Sequence, residues 1–278
     1  MTTYWVNGAV VPEEAAVVPV LDHGFTVGDG VFETLLVRGS APFALTRHLR
    51  RLERSAAGLG IPAPDDHQVR RAVSEVVAAA GDDAERARLR ITLTSGSGPL
   101  GSERGTGPAT LVVTLTPTGT WPPSSALATV PWPRNERSAV AGLKTTSYAE
   151  NALALAEAHR CGASEAVLAD TRGRLCEGTG SNVFVVLDGV LHTPSLDTGC
   201  LAGITRELVL EWAPGVVETR EQDHPVEVLA HADEVFITSS TRDVHPVHRV
   251  DQRELEVGPV TRAVAEEFAR RSGVDQDP

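Results

Sequence analysis

Glu177-Gly178-Thr179-Gly180-Ser181-Asn182-Val183-Phe184 sets one carboxylate in a glycine-rich stretch that runs into an apolar strand. Such a carboxylate is expected to be partly buried and to need a partner, while the glycines let backbone or a flat ligand approach closely. A hairpin turn with an exposed glutamate is the other reading of the same residues. Thirty-three residues earlier, Gly142-Leu143-Lys144-Thr145-Thr146-Ser147-Tyr148 carries the only lysine of the chain, against 24 arginines. Arginine serves as well as lysine for a solvated charge, but only an amine can lose its proton and condense with a carbonyl. The apolar run over 140–143 predicts an amine emerging from a wall that lowers its pKa. A snorkelling surface lysine is the plainer alternative.

Working outward, Tyr4-Trp5-Val6, Asn7-Gly8 and Ala9-Val10-Val11 have the form of a tight hairpin. A strand is expected over 31–37, ended by Gly39. Leu45, Leu49, Leu52, Ala56 and Leu59 recur at helical spacing, with Thr46 as the expected N-cap and Gly60 as the stop. A second helix fits Val69, Ala72, Val73, Val76 and Val77, and strands over 89–94 and 110–115 complete a two-layer α+β unit. The prolines and small polar residues from Pro117 to Ser125 forbid a regular element and mark a linker. Beyond it the pattern predicts a helix around 148–160, a strand over 165–169 and a turn at Arg172-Gly173-Arg174. A hairpin through 183–186 tipped by Asp188-Gly189, a helix opening near Gly203 and a last helix over about 259–271 follow. Residues 275–278 read as a loose tail.

The net charge of −12 argues against nonspecific binding to nucleic acid or anionic membrane. No membrane-length apolar run, signal peptide or polybasic tail is present. Cys161, Cys176 and Cys200 are far apart and odd in number, which suits buried thiols in a reducing cytoplasm better than disulfides or a zinc site. The histidines are scattered; His245 and His248, the nearest pair, have no cysteine or acidic cluster beside them. They are read as surface or hydrogen-bonding residues, and no metal is expected.

Two further stretches suit a phosphate. Gly203-Ile204-Thr205 opens a helix, where free N–H groups and the dipole favour a dianion. Thr238-Ser239-Ser240-Thr241 offers four hydroxyls after a strand. Gly28-Asp29-Gly30 is not a dinucleotide fingerprint, because Glu33 takes the third glycine position.

A single lysine, a later EGxGSNxF stretch, a GIT helix start, a Ser/Thr turn before x-Pro-Val, and an HLxRL helix after GDGxFET occur here in that order. In these motifs the chain resembles the class IV, fold-type IV pyridoxal-phosphate enzymes, among them aminotransferases and aminodeoxychorismate lyases. The resemblance implies a small N-terminal α+β domain over 1–117, a linker over 118–125 and a larger mixed β-barrel-like domain with helices over 126–278. The active site is expected at the domain boundary of a homodimer. By motif, Lys144 would link covalently to pyridoxal 5′-phosphate and shuttle the proton between the substrate α-carbon and C4′. Glu177 would pair with the pyridine nitrogen. Arg51 would bind the phosphate with its planar fork, joined by Ile204, Thr205, Ser239, Ser240 and Thr241. Arg134 and Tyr148 are alternative contacts for the phenolic oxygen.

Within the family the motifs divide. The spacing from Lys144 to Glu157-Ala158 fits D-amino-acid aminotransferases and lyases rather than branched-chain enzymes. Yet Val31-Phe32-Glu33 lacks the tyrosine usual in D-amino-acid enzymes, and the loop over 94–101 lacks their arginine and histidine. Ser95 and Ser147 depart from the lyase pattern. The leading expectation is an aminotransferase moving an amino group between an amino acid or amine, with D- or R-configured donors among the candidates, and a keto acid. The alternative is the lyase that releases 4-aminobenzoate and pyruvate. A cofactor-free binding protein on the same scaffold is the nonenzymatic alternative.

Overall fold

A computed structural model describes residues 1–278. The chain forms two compact units. The first comprises Met1–Thr120 with Leu143–Tyr148 and Gln276–Pro278; the second comprises Trp121–Gly142 and Ala149–Asp275. The lysine segment, placed by sequence in the 126–278 domain, therefore packs with the first unit. No helix is long and apolar enough to cross a membrane.

The first unit holds β1 (Thr3–Val6), β2 (Ala9–Val11), the single turn α1 (His23–Thr26), β3 (Gly30–Arg38), β4 (Ala41–Pro42), α2 (Leu45–Leu59), α3 (Asp66–Ala80), β5 (Arg86–Thr94) and β6 (Thr110–Pro117). Asn7 and Gly8 turn the first hairpin at φ 46° and 127°, where asparagine and glycine carry the least steric cost. The sheet runs β2-β1-β6-β5-β3-β4, antiparallel throughout. Along β5 the period of two puts Ala87, Leu89, Ile91 and Leu93 in the core and three arginines on the other face. Helices α2 and α3 cover the apolar face with Leu49, Leu52, Ala56, Val69, Val73 and Val76.

Two expectations are corrected here. Thr46 lies inside α2, whose N-cap is Ala44 at φ 55° with no side-chain acceptor. The missing acceptor comes from the supposed loose tail: Asp277 accepts from Thr46 N at 2.8 Å and from Thr46 Oγ1 at 2.6 Å. Ala44 N donates to Gln276 O at 2.7 Å. An alanine at the cap leaves the first-turn N–H groups wanting, and a carboxylate there also suits the helix dipole.

The second unit holds β7 (Ser125–Thr129), α4 (Ala149–Arg160), β8 (Glu165–Ala169), β9 (Leu175–Gly178), β10 (Asn182–Leu187), β11 (Val190–Thr193), α5 (Ile204–Trp212), β12 (Thr219–Glu221), β13 (Glu234–Ser239), β14 (Asp243–Val250), β15 (Arg253–Glu254) and α6 (Pro259–Ser272). Ser125, last residue of the expected linker, already belongs to β7. The strands follow β10-β13-β14-β7-β8-β9, and β9 pairs back onto β10 through Asn182 and Glu177. This closes a six-stranded mixed barrel, parallel at β14–β7 and β7–β8, as the fold-type IV reading implied. Leu127, Val167, Val183, Val185, Ile237 and Val247 share one core cluster. A run of alanines, among them Ala126, Ala128, Ala154 and Ala158, lets α4 lie close on β7 and β8.

Candidate active-site residues

In the first unit, Lys144 sits in an extended segment beside β3. Phe32 N donates to Lys144 O at 3.0 Å, Thr146 N donates to Gly30 O at 2.8 Å, and Lys144 N donates to Ser55 Oγ of α2 at 3.2 Å. Gly28, at φ 70°, lets this segment approach: an added Cβ would come within 2.8 Å of Ser147 Oγ. The apolar wall expected over 140–143 is formed only in part: Leu143 packs against Gly58 of α2, but Val140 is exposed. The Phe32 ring takes the place of the rest, with Lys144 Nζ 4.5 Å from the ring centre. Tyr148 meets the same ring edge-on at 5.3 Å.

Arg90 of β5 lies over that ring too, its Cζ 3.7 Å from the centre. Its Nε donates to Thr92 Oγ1 at 3.1 Å, and no carboxylate pairs with it. Burial lowers its pKa, as expected of a cation without a counter-charge.

Arg51 lies deeper, with Glu33 and His48. Arg51 Nε donates to Glu33 Oε1 at 2.8 Å and Nη2 to Oε2 at 2.6 Å. His48 Nδ1 donates to the same Oε2 at 2.6 Å. All three side chains are buried. Burial by itself would raise the Glu33 carboxyl, but the charge and hydrogen bond of Arg51, with the bond from His48, outweigh it and hold the group down at about 2. Burial also pushes His48 down, with Glu33 opposing. The spacing of His48, Arg51 and Ser55 along α2 puts all three on one face.

In the second unit, Glu177 on β9 is held from two sides. Oε1 accepts from Arg134 Nε at 3.1 Å and Oε2 from Leu201 N at 2.9 Å. Arg134 also donates to Asn151 Oδ1 at 3.3 Å, and Asn151 Nδ2 donates to Thr179 O at 2.6 Å. Thr179 N and Oγ1 both donate to Glu165, whose other oxygen accepts from Arg242 Nη1 at 2.9 Å. Arg242 directly follows Ser239-Ser240-Thr241, so one polar network joins the Glu177 strand to that turn.

Register aligns these pieces. Asn182 pairs with Glu177 on one side and Thr238 on the other. Its Nδ2 donates to Leu201 O at 2.8 Å, and its Oδ1 is so close to Gly203 that an added Cβ would meet it at 1.9 Å. The carboxylate, the start of α5 and the hydroxyl turn thus share one end of the barrel. Gly203 caps α5 without a side chain, and Ile204 and Thr205 are buried in its first turn. Thr238 Oγ1 and Ser181 Oγ are buried without a protein partner. Cys176 and Cys200 are buried close to Glu177, and burial raises both thiols, Cys200 to about 11.

A family model described as amino-transferase class IV matches residues 30–250. The chain belongs to the class IV aminotransferases. It is 33% identical over 276 residues to a putative branched-chain-amino-acid aminotransferase of Methanocaldococcus jannaschii, covering 95% of this chain and 94% of that protein. It is 30% identical to an aminodeoxychorismate lyase of Bacillus subtilis, covering 89% and 86%. A crystal structure of the branched-chain aminotransferase of Thermoproteus uzoniensis with norvaline superposes with a TM-score of 0.91 at 32% identity, covering 96% and 93%.

Class IV aminotransferases use pyridoxal 5′-phosphate, and the donor set of this one fits it. A lone amine suits the aldehyde, a doubly held carboxylate suits a pyridinium, and a helix start with an orphaned buried hydroxyl suits a phosphate. Sequence reading passed over Glu33, His48, Arg90, Asn151, Glu165, Asn182 and Arg242. Glu33 had a visible signal, since it is the one charge within the apolar run over 31–37.

Proposed function

We propose that this class IV aminotransferase moves the amino group of a branched-chain amino acid to a keto acid. The observation that carries the reading is the Phe32 ring, with the Lys144 amine at 4.5 Å and the Arg90 guanidinium at 3.7 Å. An amine, a fixed cation and an apolar ring meet the needs of a substrate with an amino group, a carboxylate and an apolar side chain. The names of the Methanocaldococcus and Thermoproteus proteins favour the same substrate class. The lyase reaction is the second reading, favoured by the Bacillus subtilis relative.

When bound, the cofactor supplies an aldehyde and a ring that draws electrons from the substrate α-carbon. Lys144 takes the covalent position and moves the proton at that carbon. Glu177 holds the proton on the pyridine nitrogen. Arg51, the N–H groups of Ile204 and Thr205, and the hydroxyls of Ser239, Ser240 and Thr241 receive the phosphate. Arg134 is engaged by Glu177 and Asn151 and acts as a brace, so Tyr148 is the proposed partner of the phenolic oxygen. Arg90 receives a substrate carboxylate. The exposed side chains of Val17, Val20, Phe25 and Leu100 support a homodimer.

The test supplies leucine, D-alanine or R-phenylethylamine with 2-oxoglutarate, and separately aminodeoxychorismate. Leucine is expected to be the fastest donor. Faster turnover of D-alanine or R-phenylethylamine would replace this reading with the D- or R-configured one, and 4-aminobenzoate without keto-acid turnover would replace it with the lyase. Arg90→Met should cost roughly 10- to 100-fold in kcat/KM for leucine, the size of a lost charge-assisted bond. It should spare R-phenylethylamine, which has no carboxylate. Borohydride treatment should fix the cofactor's mass to the Lys144 peptide, and Lys144→Ala should retain none.

A further inference from the structure

Glu33 is fully buried, bonded to two side chains of α2, and has no part in the chemistry described above. A carboxylate in a strand buried on both faces is costly unless its neighbours repay the lost hydration. Here they do, with three bonds of 2.6–2.8 Å to its two oxygens. The geometry of those bonds is specific. Arg51 presents the Nε and Nη2 edge of its guanidinium to the carboxylate, in the bidentate form that fixes a planar fork. Fixing that edge fixes the plane of the group and the direction of Nη1. His48, one helical turn before Arg51, bonds the same Oε2 and stops the carboxylate from rotating.

We propose that Glu33 is a positioning residue that sets the phosphate selectivity of this enzyme by holding the Arg51 guanidinium in its binding orientation. The proposal rests on the reading of Arg51 as a phosphate ligand. Two effects of Glu33 on a phosphate oppose one another. Its charge repels the dianion, and its bidentate bond pre-orients the cation that attracts it. Arg51 and His48 already engage both oxygens, so the repulsion is largely compensated and orientation prevails.

The experiment titrates the full-length protein, freed of cofactor, with pyridoxal 5′-phosphate and with pyridoxal, which lacks the phosphate. Binding is followed by absorbance, and the ratio of the two affinities is the readout. Glu33→Gln keeps the shape and removes the charge. It is expected to lower the ratio roughly 10- to 100-fold, the equivalent of one charge-assisted hydrogen bond, by weakening the phosphate ester alone. Equal weakening of both ligands would mean a merely structural role and overturn the proposal. A raised ratio would mean that repulsion dominates and would also overturn it. Arg51→Met separates the two readings. If it collapses the ratio while Glu33→Gln leaves it intact, Arg51 binds phosphate and the proposal alone falls. If neither variant moves the ratio, both readings fall. Should Glu33→Gln not fold, the double variant E33Q/R51M removes both ends of the pair. Its ratio should then equal that of Arg51→Met, and a further drop would overturn a role exerted through Arg51.

Discussion

His245 shows how a single buried side chain writes a pH dependence into this protein. Its Nε2 lies 2.9 Å from Ser125 Oγ, and burial first, then the charges of Arg242 and His248, push it from 6.5 down to about 4. Between those values the unfolded chain takes up a proton that the folded protein refuses. The contribution of His245 is therefore complete above about pH 6.5 and declines as the pH falls through that window, by on the order of 2–3 kcal/mol. The urea midpoint should fall between pH 7 and 5, and His245→Asn should flatten that fall. An identical slope in the variant would place the effect elsewhere. Residues differ in how openly they announce themselves. Lys144 stands out by composition and Glu177 by its glycines. Arg90 does not, because Arg86 and Arg88 share its face of β5 and only the fold decides which of the three meets Phe32.

The helices divide in the same way. The stripes of α2 and α3 were readable because 3.6-residue periodicity is local, and Gly60 marks the end of α2 at φ 68°. Asp65 caps α3 locally, but the capping partners of α2 and α6 could not be read, because they come from far along the chain. Asp277 caps α2 from 231 residues away. Glu234 caps α6 in the same manner, accepting from Thr261 N at 2.7 Å and Val260 N at 3.1 Å beside a glycine N-cap. Thr46 drew the local rule to itself because it is the only hydroxyl near the start of α2. Asp277→Ala is expected to cost about 0.5–2 kcal/mol of stability, the usual worth of an N-cap, read as a lower urea midpoint at unchanged slope. An unchanged midpoint would mean that solvent caps α2 equally well. Strands β7 and β14 were also hidden: β7 begins within a proline-rich stretch, and β14 contains Pro246, which argues locally against a strand.

For the whole molecule, the division into two units was read from the linker composition over 117–125, while the β-barrel-like second unit followed from motif order rather than from any pattern of strands. Ring closure depends on one residue pair, Asn182 with Glu177, across the glycine-rich turn; the hairpin itself was one of two local readings, but nothing local showed that it would close a barrel. Self-association is open to direct measurement. Phe25 and Leu100 are 78% and 80% exposed, a costly display for a lone chain. Light scattering should give twice the chain mass for the native protein, and Phe25→Asp with Leu100→Asp should shift it toward one. A native protein of single-chain mass would refute the dimer.

The tail that caps α2 also bears on how the protein is made. Domains tend to fold from the N-terminus as the chain leaves the ribosome. Here the unit that begins the chain also takes in Leu143–Tyr148 and Gln276–Pro278. The lysine segment beside β3 reaches it only after β7 has been made, and the acceptor at the head of α2 follows 231 residues behind Thr46. The first unit to emerge is thus not finished until the second has been made, and the helix bearing Arg51 receives its cap only after α6 has emerged.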